Sequence, residues 1–76
     1  MQFDIEENAE LDQVWQLILD RLGDDRKDIS SNTSSFYKTQ DGIECALRKV
    51  NGDLVGICYR EKNRKNGYRW TIDKYN

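Results

Sequence analysis

Residues 60–70 run Arg60-Glu61-Lys62-Asn63-Arg64-Lys65-Asn66-Gly67-Tyr68-Arg69-Trp70, so five bases and two aromatics surround a single acid. Such a segment suits phosphate. Guanidinium and ammonium groups displace counterions from a nucleic-acid backbone, and an exposed tyrosine or tryptophan stacks on bases. Against that chemistry, Tyr68 and Trp70 fall at positions expected to face a core. The bases alone equally suit a solvated loop that keeps an edge hairpin soluble.

The opposite charge gathers at the other end of the chain. Residues 1–28 hold nine acids and three bases, whereas residues 29–76 hold five acids and nine bases. Glu6, Glu7, Glu10, Asp12, Asp20, Asp24 and Asp25 are expected to form an acidic helix face. That face either is plainly solvated or imitates phosphate and meets a basic groove on a protein. Opposite charge on two surfaces favours steering and register at a protein interface.

Catalytic chemistry is poorly provided for. The chain has no histidine, the side chain best suited to proton transfer near neutral pH and the commonest metal ligand. Two cysteines, Cys45 and Cys58, make neither a zinc site of the usual composition nor a Cys-His nucleophile pair. Asp24, Asp25 and Asp28 lack the alternate spacing and the glycine of a calcium loop. No phosphate loop or dinucleotide fingerprint occurs. The expectation is no catalytic residue, no cofactor and no metal.

These groups must be positioned by a single small domain. Seventy-six residues, 37% of them hydrophobic, suffice for one modest core, and two cysteines are too few for a secreted disulfide scaffold. No apolar stretch approaches the ~20 residues needed to span a bilayer, and the first residues lack a basic-then-apolar leader. The expected location is cytoplasmic.

Leu11, Val14, Trp15, Ile18, Leu19 and Leu22 recur at three- and four-residue spacing and predict an amphipathic helix over residues 9–22. Asn8 is its expected N-cap and Gly23 its C-terminal stop. Leu17 lies about 120° off the stripe and is read as a lone exposed leucine in preference to part of a contact surface. Before the helix, Phe3 and Ile5 alternate with polar neighbours as a short extra strand would. Residues 24–35 read as a polar loop, because their Ser, Asn, Asp and Thr side chains compete for backbone hydrogen bonds. The sheet occupies about residues 34–75 as four antiparallel strands, with Asp41-Gly42, Asn51-Gly52 and Asn66-Gly67 marking the turns. The fold class is α+β: an N-terminal amphipathic helix packed on a four-stranded antiparallel meander.

The second hairpin admits two registers. A two-residue Asn51-Gly52 turn sets Cys45 opposite Cys58, where a cross-strand disulfide is conceivable. A three-residue loop with Gly52 as the left-handed residue instead pairs Lys49 with Asp53, Cys45 with Ile57 and Ile43 with Tyr59. The second is preferred, since it collects Ile43, Cys45, Leu47, Val55, Ile57 and Tyr59 on one face under the helix. Arg48, Leu54, Cys58, Arg60, Arg69 and Thr71 then face outward, with three arginines converging.

Two resemblances accompany this reading. Gly56-Ile57-Cys58-Tyr59-Arg60, a basic loop and Trp70-Thr71-Ile72 resemble the three-stranded DNA-reading sheet of AP2-type and integrase N-terminal domains, whose helix follows the sheet rather than preceding it. Asn51-Gly52, Tyr59-Arg60-Glu61, Gly67 and Trp70-Thr71 resemble small phage-encoded inhibitors of host defence, of the anti-CRISPR type. The latter resemblance implies a stoichiometric inhibitor that occludes a partner's nucleic-acid groove. The expected function is therefore a non-enzymatic protein-binding module that uses either the acidic helix face or a basic face of Arg48, Arg60, Lys62, Arg64, Lys65 and Arg69. The alternative is a nucleic-acid binder using those same six bases.

Overall fold

The computed structural model describes residues 1–75. The chain runs β1 (Gln2–Glu6), α1 (Leu11–Leu22), a 3-10 helix (Gly23–Asp28), β2 (Ser35–Thr39), β3 (Gly42–Arg48), β4 (Leu54–Lys62) and β5 (Gly67–Lys74). All five strands form one antiparallel sheet in the order β1-β5-β4-β3-β2. The α+β class and the meander from β2 to β5 stand. The expected element order does not, because a strand precedes the helix and takes the edge beside β5.

That order explains why one face is covered. β1 and β2 are opposite edges of the sheet, so α1 and the 3-10 helix must carry the chain from one edge to the other across a single face. The stripe on α1 supplies the contact: Val14, Ile18 and Leu22 are buried, one turn apart on one side of the helix. Trp15 and Leu19 flank them, partly buried against the core. Leu17, expected in solvent, also packs partly against the core. A helix crossing a twisted sheet meets it over more than the central stripe.

The helix starts two residues later than its apolar spacing suggests. Ala9 N–H donates to Glu6 O at 3.2 Å, closing a turn out of β1, and Glu10 rather than Asn8 is the N-cap. Glu10 N–H donates to the Gln13 side-chain oxygen at 3.1 Å, which satisfies a backbone donor the helix leaves orphaned. Gly23 ends α1 at φ 59°, its N–H on Leu19 O, a conformation costly for any residue with a Cβ. The segment read as an irregular loop then opens with a 3-10 turn, whose last residues hand over to Ile29 through an N–H bond to Arg26 O.

The β3–β4 register combines both sequence readings. Lys49 N–H donates to Asp53 O at 3.0 Å, and Gly52 has φ 92°, so the turn is the preferred three-residue loop. Arg48 then pairs with Leu54, but Leu47 pairs with Gly56. Val55 is an extra residue, and a bulge there shifts every later pair by one. Cys45 therefore meets Cys58, and Ala46 meets Ile57. The expected face is corrected at Ile57 and Tyr59: Cys58 is fully buried on the helix side, while Tyr59 is 42% exposed on the far side; Val55, at the bulge, packs partly against the core as expected.

Under α1 the core-facing row runs Phe36, Cys45, Cys58, Ile72 across β2, β3, β4 and β5. Trp70, fully buried, lies beside it opposite Phe3 of β1. Trp15, Phe36 and Trp70 form a chain of edge-to-face contacts, with ring centroids 6.4 and 5.8 Å apart, the arrangement aromatic quadrupoles favour.

Candidate functional site

Alternation along each strand, counted from the buried residues, assigns the other face of the sheet. Gln2, Asp4 and Glu6 of β1, Arg69, Thr71 and Asp73 of β5, Ile57, Tyr59 and Glu61 of β4, Glu44, Ala46 and Arg48 of β3, and Ser35, Tyr37 and Thr39 of β2 share it. No element among the described residues covers it.

Its middle row reads Tyr37, Glu44, Tyr59, Thr71, Gln2 from edge to edge. Tyr37 Oη donates to Glu44 Oε1 at 2.7 Å, and Gln2 Nε2 donates to Thr71 Oγ1 at 3.3 Å. The hydrogen bond to the Glu44 carboxylate, then burial, raises the Tyr37 phenol above its ordinary range. Beside this row Ile57 lies against Ala46. In the next, Arg69 Nε donates to Asp4 Oδ1 at 2.9 Å, with Glu61 directly opposite Arg69. Arg69, chiefly through that hydrogen bond, holds the Asp4 carboxyl below the usual range.

The expected basic face is not one surface. Arg48 and Arg69 lie on the open face, the first turned back onto Gly52 O at 2.8 Å and the second held by Asp4. Arg60 falls on the helix side, its guanidinium 3.8 Å from the centroid of the Tyr68 ring. Lys62 is on the same side, 3.0 Å from Glu7. Arg64 and Lys65 occupy the β4–β5 turn, with no ion pair among the described residues; with Lys62, Arg69, Asp4 and Glu61 they line an open groove of about 640 Å³. The predicted convergence of three arginines is thus undone by the Val55 bulge, which moves Arg60 and Cys58 to the opposite face from Arg69.

The acidic residues scatter too. Glu6 is on β1, Glu7 in the turn beyond it, Glu10 at the N-cap, Asp12 and Asp20 on α1, and Asp24 and Asp25 in the 3-10 helix. Asp25 reaches Lys74 at 4.0 Å. What the sequence reading missed is the tyrosine surface: Tyr37 is 39% exposed, Tyr59 42% and Tyr75 45%. For Tyr59 the signal is Gly56, alone within an apolar strand, since an isolated strand glycine marks a bulge or a close backbone approach.

Chemically, this face offers phenol rings, short aliphatic side chains, five carboxylates (Asp4, Glu6, Glu44, Glu61, Asp73) and two guanidiniums (Arg48, Arg69). No group of three or more potential metal ligands converges among the described residues, and no described helix is long and apolar enough to cross a membrane. The fold and this face define a one-helix, five-stranded α+β domain with one uncovered sheet surface. No family model, curated protein or solved structure matches the chain.

Proposed function

We propose that this protein is a non-enzymatic protein-binding module of the cytoplasm, a stoichiometric inhibitor or regulator, which docks through its open sheet face onto a basic surface of its partner. The observation that carries this reading is the uncovered row Tyr37, Glu44, Tyr59, Thr71, Gln2. Tyrosine is enriched at interfaces because one ring buries a large apolar area while its hydroxyl finds a polar partner. Side chains already joined by hydrogen bonds lose little entropy on docking. Five carboxylates against two guanidiniums repel a phosphate backbone and attract a lysine- or arginine-rich protein surface. A partner that itself binds nucleic acid presents such a surface, in keeping with the resemblance to inhibitors of host defence.

The test is a pull-down from the native cytosol with three proteins: wild type, Tyr59→Ala, and Glu44→Lys/Glu61→Lys. The reading expects one stoichiometric partner on wild type, at least tenfold weaker capture by Tyr59→Ala, and loss of capture by the double charge reversal. Equal capture by all three rejects the open face as the docking surface. The nucleic-acid alternative rests on Arg64 and Lys65 at the loop groove. It expects a mobility shift with DNA or RNA that fades as salt rises and weakens in Arg64→Ala/Lys65→Ala.

A further inference from the structure

We propose that Cys45 and Cys58 are an oxidation site, closed by a peroxide into an intramolecular disulfide that ties β3 to β4 at the centre of the sheet. The inference stands apart from the identity of any partner. The two residues are direct cross-strand partners on the helix side, both free thiols and both without exposed surface. Opposed residues of antiparallel strands hold their Cα atoms about 4.5–5.5 Å apart. A disulfide bridges Cα separations of about 4.4–6.8 Å with both side chains on one face. No backbone rearrangement is needed to bring the sulfurs together.

The two sulfurs differ in access. A cleft of about 180 Å³ between α1 and β2, walled by Asp12, Trp15, Ser31, Ser34 and Phe36, has Cys45 at its floor. Cys45 is closed to a water-sized molecule at rest, and Phe36, its partly buried cross-strand partner, forms part of the cleft wall. Hydrogen peroxide is little larger than water. Cys58 does not line this cleft. The neighbouring Cys45 thiol, followed by burial, pushes the Cys58 pKa far up. Cys45 is thus the sulfur an oxidant meets, and Cys58 the resolving thiol.

The chemistry balances without a cofactor. The Cys45 sulfur attacks one oxygen of hydrogen peroxide, the O–O bond breaks, one water leaves, and Cys45 becomes a sulfenic acid. The Cys58 sulfur then attacks Cys45, the S–O bond breaks, the S–S bond forms, and a second water carries off the remaining thiol proton. Two thiols have lost two electrons, and one peroxide has gained them. Cys45 adjoins Glu44 and Ala46, and Cys58 adjoins Ile57 and Tyr59, so the bridge forms directly behind the open face.

The experiment exposes the full chain to hydrogen peroxide under native conditions, then counts thiols after denaturation and measures the intact mass without reductant. The expected result is simultaneous loss of both thiols, a mass lower by two hydrogens, a monomer on a non-reducing gel, and reversal by dithiothreitol. Cys58→Ser is expected to stop at a sulfenic acid on Cys45 that dimedone captures; Cys45→Ser is expected to leave Cys58 unreacted. Two free thiols after a treatment that fully oxidises an unstructured cysteine peptide, a mass raised by oxygen in the wild type, or disulfide-linked dimers would each overturn the proposal.

Discussion

Cys45 and Cys58 face each other because Val55 has no partner. The Asn51-Gly52 turn, with Lys49 bonded to Asp53, commits β3 and β4 to a pairing that would set Cys45 against Ile57. The skipped residue corrects this before Gly56. Its effect propagates, since side chains alternate with a period of two and one extra residue exchanges the faces of everything beyond it. Cys58 enters the core, and Ile57 and Tyr59 leave it. Both the docking face and the thiol pair descend from that one residue.

The residue after the bulge should be intolerant of a side chain. A Cβ on Gly56 would stand 2.9 Å from Asp73 O, 3.1 Å from Lys74 Cα and 3.2 Å from Leu47 Cδ1, and two of those atoms are backbone of the neighbouring strand. Gly56→Ala is therefore expected to cost about 1–3 kcal/mol through overpacking. Urea unfolding measures it, with the loss read as a lower midpoint at unchanged slope. An unchanged midpoint would mean that β4 and β5 lie farther apart at this point than described.

How much of this was legible in the residues follows the range of the physics involved. The helix stripe and the β2–β5 meander are local patterns, and they are found within one or two residues of where they were expected. Trp70 and Ile72 alternate into the core as read. The helix start moved from Ala9 to Leu11 because a turn bond to Glu6 competes for the backbone there. β1 was visible as Phe3 and Ile5, yet its pairing with β5 spans about the whole chain, and no local signal specifies so distant a partner. The bulge at Val55 has Gly56 as its only local mark, and unbroken alternation puts Arg60 and Arg69 on one face where the structure sets them on two.

Burial along α1 predicts a steep contrast between the first residue and the centre of its apolar stripe. Ile18 has no exposed surface, whereas Leu11 is 36% exposed. Ile18→Ala removes core methylenes and leaves a cavity between α1 and the Cys45–Cys58 row, at an expected cost of about 2–5 kcal/mol. Leu11→Ala should cost under about 1 kcal/mol, the scale of a partly solvated side chain. Denaturant unfolding of both variants checks the ratio. Comparable losses would show that the helix is anchored through its first turn rather than its centre.

The Asp4–Arg69 pair predicts the acid side of the stability profile. The Arg69 hydrogen bond lowers the Asp4 carboxyl below its ordinary value of 3.8, so the folded state binds that proton less tightly than the unfolded chain does. The pair's contribution is accordingly complete above pH 3.8 and is lost as pH falls through the lower folded value. Asp4→Asn should melt below wild type at pH 6, with the two converging as the solution is acidified. Added salt should narrow the gap at pH 6, because both side chains are about half exposed. A gap that is constant with pH would assign the loss to packing of β1 instead.

On the alkaline side the reporter is Tyr37. Its hydroxyl donates to Glu44 at 2.7 Å, a bond the ionised phenolate cannot make, and the carboxylate charge opposes ionisation as well. Tyr37 should therefore titrate above the ordinary tyrosine value of about 10. Linkage gives the sign: the contribution to stability is complete below about pH 10 and disappears as pH rises through the folded pKa. Glu44→Gln keeps an acceptor but removes the charge, so the Tyr37 titration should fall back toward 10 without vanishing into it. Ultraviolet titration resolves this one phenol from Tyr59, Tyr68 and Tyr75 when the Tyr37→Phe spectrum is subtracted. If the subtracted curve has the same midpoint in wild type and Glu44→Gln, the edge of the open face is not preorganised, and the low entropic cost of docking argued for it is lost.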